Sequence, residues 1–297
     1  MDSLWQTNMP DIKLYARGKV RDVYDLDDKL LIVATDRLSA YDLVLPDPIP
    51  GKGKILTRMS LFWFQYLHEV VPNHFISADV ESYPESLQKY RDQLEGRSML
   101  VKKAERIDIE CVVRGYIAGS LWSDYLKARK AGNTTVLGFI FDTDLKESQK
   151  LTEPIFTPAT KEESGHDMNI SFEFMTQVTG LDLAAKLRKI SKDLYQKAAS
   201  YCEQRGIILA DTKFEFGLVD NQVILIDEIL SPDSSRFWPA EKYRVGASQE
   251  SFDKQYVRNY LSDCGWDKNS APPHLPPEII EGTKQRYQLA EKLIVSK

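Results

Sequence analysis

A chain of 297 residues, 42% hydrophobic and 28% charged, is long enough to bury a sizeable core as one large domain or two joined units. Its net charge of −5 gives no reason to expect nucleic acid or an anionic membrane as partner, so any phosphate must be held by a local cluster of basic groups. Cys111, Cys202 and Cys264 are odd in number and lack metal-ligand spacing, no apolar run nears the roughly 18 residues needed to span a bilayer, and MDSLWQTNMPD lacks a signal-peptide layout; a reducing compartment, the cytoplasm, is expected.

In chain order, Ile12–Tyr15, Val20–Leu26 and Leu30–Ala34 read as strands. Between the first two, Ala16-Arg17-Gly18-Lys19 with Arg21 just beyond forms a glycine-bearing turn. Glycine lets backbone N–H groups approach a phosphate and the flanking cations add charge, although the GxxxxGK[ST] pattern is absent. Ala34 to Asp42 is a polar stretch at a strand end, and Pro46 to Lys54 reads as a linker. Leu56–Val71 carries a broad apolar stripe and is expected to be a helix with its aromatics in the core. Ser98–Ala104 resumes strand character, followed by a strand over Ile107–Tyr116 that carries Glu110 and Arg114, then Ser120 at the start of a helix to about Lys130. A buried arginine is costly unless it holds an anion, and a hydroxyl at a helix start suits a phosphate or carboxylate; the plainer alternative is an Arg114–Glu110 pair with Ser120 as a cap. Residues 131–180, with few periodic apolar positions, read as a long functional loop region. Asp182–Arg205 is the clearest helix, ended by Gly206, and Gln249–Leu261 and Glu278–Ser296 follow as packing helices.

The most informative stretch is Gly206 to Pro239, two strands joined by a polar turn at Asp220-Asn221-Gln222. Alternation puts Asp211, Lys213 and Glu215 on one face, and the second strand is apolar except at Asp227 and Glu228. A two-residue turn sets Glu215 opposite Ile226; a three-residue loop sets it opposite Asp227. Opposed carboxylates need a cation between them, so the three-residue register with Mg²⁺ shared with phosphate is the one expected. Solvated charges on an exposed sheet face are the alternative, which the following Ser231 to Arg236 loop disfavours.

The pieces ADTKFEFG, IDEILSPDSSRFWP, ECVVRGYIAGS, ARGKVRDVY and ATDRLSAYD closely resemble the SAICAR synthetase family (phosphoribosylaminoimidazole-succinocarboxamide synthase) over most of the chain. The resemblance implies a two-lobed α/β (α+β) fold. Its residues 1–104 would form a kinase-like antiparallel ATP lobe, and residues 105–297 a larger α/β lobe for substrate and metal with C-terminal helices, ATP lying between the lobes. It implies an ATP- and Mg²⁺-dependent ligase joining 5-aminoimidazole ribonucleotide 4-carboxylate to L-aspartate in purine biosynthesis, in a monomer or small homo-oligomer. On that reading Gly18, Lys19 and Arg21 meet the ATP phosphates, and the backbone around Lys102 and Lys103 meets adenine. Glu215 and Asp227 hold Mg²⁺, with Asp211 and Glu228 in support, while Lys213 neutralises developing phosphate charge. Ser39, Asp42, Arg114, Ser120, Asp233, Ser234 and Arg236 bind substrate. Lys161, His166 and Asp167 resemble the family's lysine followed by His-Asp, and Lys161 and Asp211 join Lys213 as catalytic candidates. The loop between Glu228 and Ser231 is one residue longer than in a common bacterial form. A small-molecule kinase would use the same glycine turn, lysine and carboxylates, whereas a non-catalytic nucleotide-binding scaffold should show a degraded charged hairpin, and this one is intact.

Overall fold

The computed structural model describes residues 3–161, 168–252, 254–268 and 270–296. The principal elements are β1 (Leu14–Arg17), β2 (Arg21–Leu26), β3 (Lys29–Ala34), α1 (Lys52–Tyr66), β4 (Phe75–Ser77), β5 (Ser98–Lys102), β6 (Ile109–Tyr116), α2 (Gly119–Lys130), β7 (Lys150–Phe156), α3 (Leu181–Glu203), β8 (Ile207–Val219), β9 (Gln222–Ile226), β10 (Ser235–Pro239), α4 (Gln255–Asp263) and α5 (Pro277–Val295). They pack into two units, one of Met1–Glu105, Gly217–Asp233 and Phe252–Lys297, the other of Arg106–Phe216 and Ser234–Ser251. The chain leaves the first unit after Glu105 and returns to it twice.

The first unit is built on an antiparallel sheet ordered β1-β2-β3-β5-β4. Its strands bury Tyr24, Leu31, Val33 and Leu100 against Met9, Val80, Tyr83, Leu87 and Leu94. Helix α1 begins earlier than its apolar stripe suggests, so Lys52 and Lys54 are helical rather than linker. Gly53 makes this possible: a Cβ there would lie 2.2 Å from the Ala34 carbonyl oxygen, so only glycine lets the helix start against the end of β3. Asp36 fixes the junction, accepting from the Gly53 N–H at 2.9 Å and from the Arg97 guanidinium at 3.1 Å. A second core joins Leu38, Ala40, Leu45 and Ile49 to Val257, Leu261 and Leu275 from the chain's far end.

In the second unit β8 is central, paired antiparallel with β6 and with β10, while β6 also pairs with β7. The 131–180 stretch is therefore not simply a loop: it contributes β7 and a helix, Phe172–Thr179, whose Ser171 accepts from the Phe174 N–H as N-cap. Charged and threonine residues interrupt the apolar pattern of β7, and its pairing with β6 is irregular between Lys150 and Ile155, so alternation is masked. Of the apolar residues expected to recur along helix α3, Leu187, Leu194, Ala198 and Tyr201 are buried while Leu183 and Ile190 are half-buried, Ala184 joins the buried face, and Gly206 follows at φ 69°.

One register expectation is corrected. Strand β8 runs on into the first unit and is joined to β9 by only two residues, Asp220 and Asn221, both left-handed at φ 50° and 61°. Asp and Asn tolerate this conformation, which gives the two-residue hairpin turn whose twist matches the strands. The three-residue register is not adopted, and β9 ends at Ile226 because Asp227, at φ 65°, leaves the extended conformation.

Candidate active site

Strand alternation puts the chemistry of the second unit on one face. Register sets Asp211 beside Arg114 and Lys213 beside Val112, so the even-numbered β6 residues Glu110 and Arg114 share a face with the odd-numbered β8 residues Asp211, Lys213 and Glu215. Glu215 is the hub of one chain of ion pairs. Its buried carboxylate takes the Lys213 ammonium at 2.5 Å and that of Lys161 on the other oxygen, and Lys213 reaches on to Glu110 at 2.9 Å. Burial alone would raise the Glu215 pKa, but the charges of Lys213 and Lys161 outweigh it and hold the carboxyl well below the usual range. It is held as an anion by the two ammonium groups.

A second cluster gathers around Asp211. Arg114 donates from Nη1 to Asp211 at 3.2 Å, from Nη2 to Ser120 Oγ at 3.1 Å and from Nε to Thr157 Oγ1 at 2.9 Å, while Arg236 from β10 donates to the same Asp211 oxygen. Two guanidiniums thus share one carboxylate oxygen. Burial lowers the Arg114 pKa, with Asp211 opposing and Arg236 adding to the shift. This settles the alternative reading of Arg114 and Ser120: Glu110 pairs with Lys213, not Arg114, and Ala118 rather than Ser120 is the N-cap. Gly119, at φ 58°, is required by the cluster, because a Cβ there would lie 2.2 Å from Arg236 Nη2. The Ser234 carbonyl accepts the Lys213 N–H at 3.0 Å, tying the loop before β10 to the charged strand.

In the first unit, the Gly18-Lys19 turn is built by Arg37, which sequence reasoning passed over. Its guanidinium donates to the Gly18 carbonyl at 3.0 Å, the Lys19 carbonyl at 3.1 Å and the buried Asp22 at 2.8 Å. Lys19 pairs with Asp42, which sits with Tyr41 at the left-handed tip of the Ser39–Val44 hairpin. Arg21 pairs with Asp227 and lies 3.9 Å from Glu228. Burial first, then the neighbouring Asp233 and Asp227, push the Glu228 carboxyl up against the pull of Arg21. The buried His74 is pushed down to about 3 by burial and the Arg21 charge, so its ring is neutral. The Lys102 and Lys103 amides are engaged with the His74 and Asp28 carbonyls, and the Lys103 ammonium with Asp25 at 2.8 Å. Asp233 turns inward: its carboxylate is 2% exposed and meets Lys52 at 2.7 Å and Lys254 at 3.5 Å, and Lys254 also lies 3.5 Å from Ser39 Oγ. Lys52 and Lys254 were not foreseen. Lys52 sits in a glycine-rich stretch and Lys254 just before an amphipathic helix, where lysine is ordinarily solvated. His166 and Asp167 lie outside the described residues.

No group of three or more His, Cys, Asp or Glu side chains among the described residues is arranged to hold a metal by itself. The donors at hand are instead single ionised carboxylates such as Glu215, which fit a hard cation that takes one or two protein oxygens and completes its shell with phosphate and water.

A mixed α/β fold with an anionic hub clasped by ammonium groups and two guanidiniums gathered on one carboxylate fits an enzyme that handles anionic small molecules. The chain belongs to the SAICAR synthetase family, whose model matches residues 14–273. It is 55% identical over 96% of its length to the phosphoribosylaminoimidazole-succinocarboxamide synthase of Syntrophobacter fumaroxidans, covering 94% of that protein. The SAICAR synthase of Saccharomyces cerevisiae, solved in complex with SAICAR, superposes with a TM-score of 0.90 at 42% identity, covering 99% of each chain. A type 2 SAICAR synthetase solved in complex with ADP gives a TM-score of 0.68 at 26% identity, over 95% of this chain and 97% of that one.

Proposed function

We propose that this protein joins 5-amino-1-(5-phosphoribosyl)imidazole-4-carboxylate to L-aspartate, converting ATP to ADP and phosphate and giving SAICAR, in purine biosynthesis. The observation that carries the reading is the Arg114–Asp211–Arg236 cluster, in which one carboxylate orients two guanidiniums side by side, a set of fixed donors that suits a nucleotide phosphate. That the yeast protein of the same fold was solved with SAICAR and another family member with ADP supports the choice of substrates.

A carboxylate is a poor acyl donor, so the 4-carboxylate needs activation. Its oxygen attacks the γ-phosphorus of ATP, releasing ADP; the aspartate amine then attacks the acyl carbon, forming the amide and releasing phosphate and a proton. Positioning and charge neutralisation supply most of the catalysis. In the second unit, Arg114, Ser120, Ser234 and Arg236 orient the imidazole nucleotide and Asp211 holds the two arginines. Lys213 and Lys161 stabilise charge developing on the transferred phosphoryl group. In the first unit, Gly18, Lys19 and Arg21 meet ATP phosphates, Lys102 and Lys103 flank adenine, and Ser39 and Asp42 contact substrate. Glu215 and Asp227 are each assigned to Mg²⁺, which supplies charge neutralisation of phosphate oxygens when bound. The surroundings of Asp233 make it a supporting group for its loop. The enzyme acts on small molecules in the cytoplasm.

The test is ADP release with ATP, Mg²⁺ and the imidazole carboxylate, with and without L-aspartate. Release that needs both, with a succinocarboxamide product, is expected. Release without aspartate accompanied by a stable phosphorylated product would assign a kinase instead.

A further inference from the structure

Asp227 to Asp233 is a loop that its own sequence does not hold in shape. Leu230 takes left-handed backbone at φ 49° without being glycine, while Asp227, at φ 65°, is of a residue type that tolerates it. A leucine persists there only where surrounding contacts impose it. At the loop's start the contact is Arg21 on Asp227. At its end, everything converges on Asp233, whose N–H donates to Ser231 Oγ at 3.1 Å and whose carboxylate meets Lys52, Lys254 and the Tyr287 hydroxyl, the last donating at 2.7 Å. Lys52 is 0% exposed and Tyr287 is also fully buried. A buried ion pair is weak stabilisation compared with apolar packing, so it is better explained as a device that specifies one conformation.

We propose that Tyr287, on α5, is a positioning residue: through its hydrogen bond to Asp233 it locks the Asp227–Asp233 loop and thereby the carboxylate of Asp227. This rests on the assignment of Asp227 to Mg²⁺ above. The C-terminal helix, to which the sequence assigns only packing, thus serves the reaction without touching substrate. Lys52 and Lys254 both meet Oδ2 of this carboxylate, and the phenol, on Oδ1, fixes the rotation that turns Oδ2 toward them.

Tyr287→Phe removes one hydroxyl and keeps the ring. Three quantities are read: product formation against Mg²⁺ concentration, Mg²⁺-dependent ATP binding by calorimetry, and the melting temperature. Loss of a hydrogen bond to a charged group, only part of it transmitted to Asp227, should raise the half-saturating Mg²⁺ about three- to tenfold and weaken Mg²⁺-dependent ATP binding in step. Asp233→Asn probes the same contact from the other side if the tyrosine variant is too unstable to assay, and the two changes combined should be clearly less than additive. A lowered melting temperature with Mg²⁺ half-saturation and ATP binding within about 1.5-fold of wild type, or a strictly additive double variant, overturns the proposal and leaves a structural hydrogen bond. If wild type makes no succinocarboxamide yet Tyr287→Phe weakens its Mg²⁺-dependent ATP binding, the positioning role stands and the proposed reaction falls. If wild type binds no ATP with Mg²⁺, both fall.

Discussion

Replacing Glu215 by glutamine keeps the shape of the side chain and removes the charge on which two ammonium groups close. Truncating one partner of a buried ion pair costs about 3–5 kcal/mol when the other is left dry. Here the carboxylate is 5% exposed but the Lys161 and Lys213 side chains are each 26% exposed, and Lys213 retains Glu110, so water and that neighbour offset much of the loss. About 1–2 kcal/mol of destabilisation remains, a fall in melting temperature of roughly 2–6 °C for a chain of this size. Turnover should fall at least about 100-fold, a barrier increase of about 2.7 kcal/mol, while the fold survives. Acid unfolding gives an independent check. Because the folded pKa of Glu215 lies below its unfolded value, the stability it contributes is present above roughly pH 4.3 and is lost as pH falls through the folded pKa. The stability gap between wild type and Glu215→Gln should therefore be constant near neutrality and close as the solution is acidified below about pH 4.3. Coupled ADP release at saturating Mg²⁺ and urea unfolding across pH measure both effects. Turnover within about threefold of wild type, or a gap that persists to the lowest pH at which the protein folds, would refute the reasoning.

Three further outcomes follow from the same geometry. Gly18→Ala should leave stability within about 0.5 kcal/mol, since the added Cβ would meet only the Arg21 carbonyl oxygen at an ordinary 3.5 Å, yet raise the KM for ATP if this turn closes on phosphate; an unchanged KM would remove Gly18 from the nucleotide site. Gly119→Ala should do the opposite, forcing Arg236 aside, costing about 1–2 kcal/mol and raising the KM for the imidazole nucleotide at least about tenfold, as steady-state kinetics beside a thermal melt would show. Asp211→Asn leaves Arg114 and Arg236 without their shared counter-ion, so added inorganic phosphate should raise its melting temperature more than that of wild type; equal shifts would mean that the two guanidiniums do not form an anion site.

What the sequence disclosed depended on range. The common face of Asp211, Lys213 and Glu215 follows from a period of two and needs no partner strand, and the stripe of α3 follows from a period of 3.6. The hairpin register was misjudged because it was argued from like charges on opposed strands, whereas the left-handed tolerance of Asp220 and Asn221 decided the turn and Asp227 left the strand altogether. β7 was hidden because its residues alternate poorly on their own and are ordered by pairing with β6. The Lys52–Asp233–Lys254–Tyr287 cluster was illegible for a different reason: three of its members come from segments distant in sequence, and no local pattern distinguishes a lysine that will be buried from one that will be solvated.

The discontinuous build of the first unit governs how the protein is made. Residues Leu38 to Ile49 leave the ribosome early, but Val257, Leu261 and Leu275, which cover them, are among the last to be synthesised. The whole of the other unit is translated in the interval and can fold while the first still lacks its closing helices. The nascent segment from Leu38 to Ile49 therefore waits with apolar side chains uncovered, held open by distance along the chain rather than by any slow local step. A stop codon before α5 would accordingly damage the unit that was begun first, and the cell's chaperones would meet that unfinished half in every round of translation.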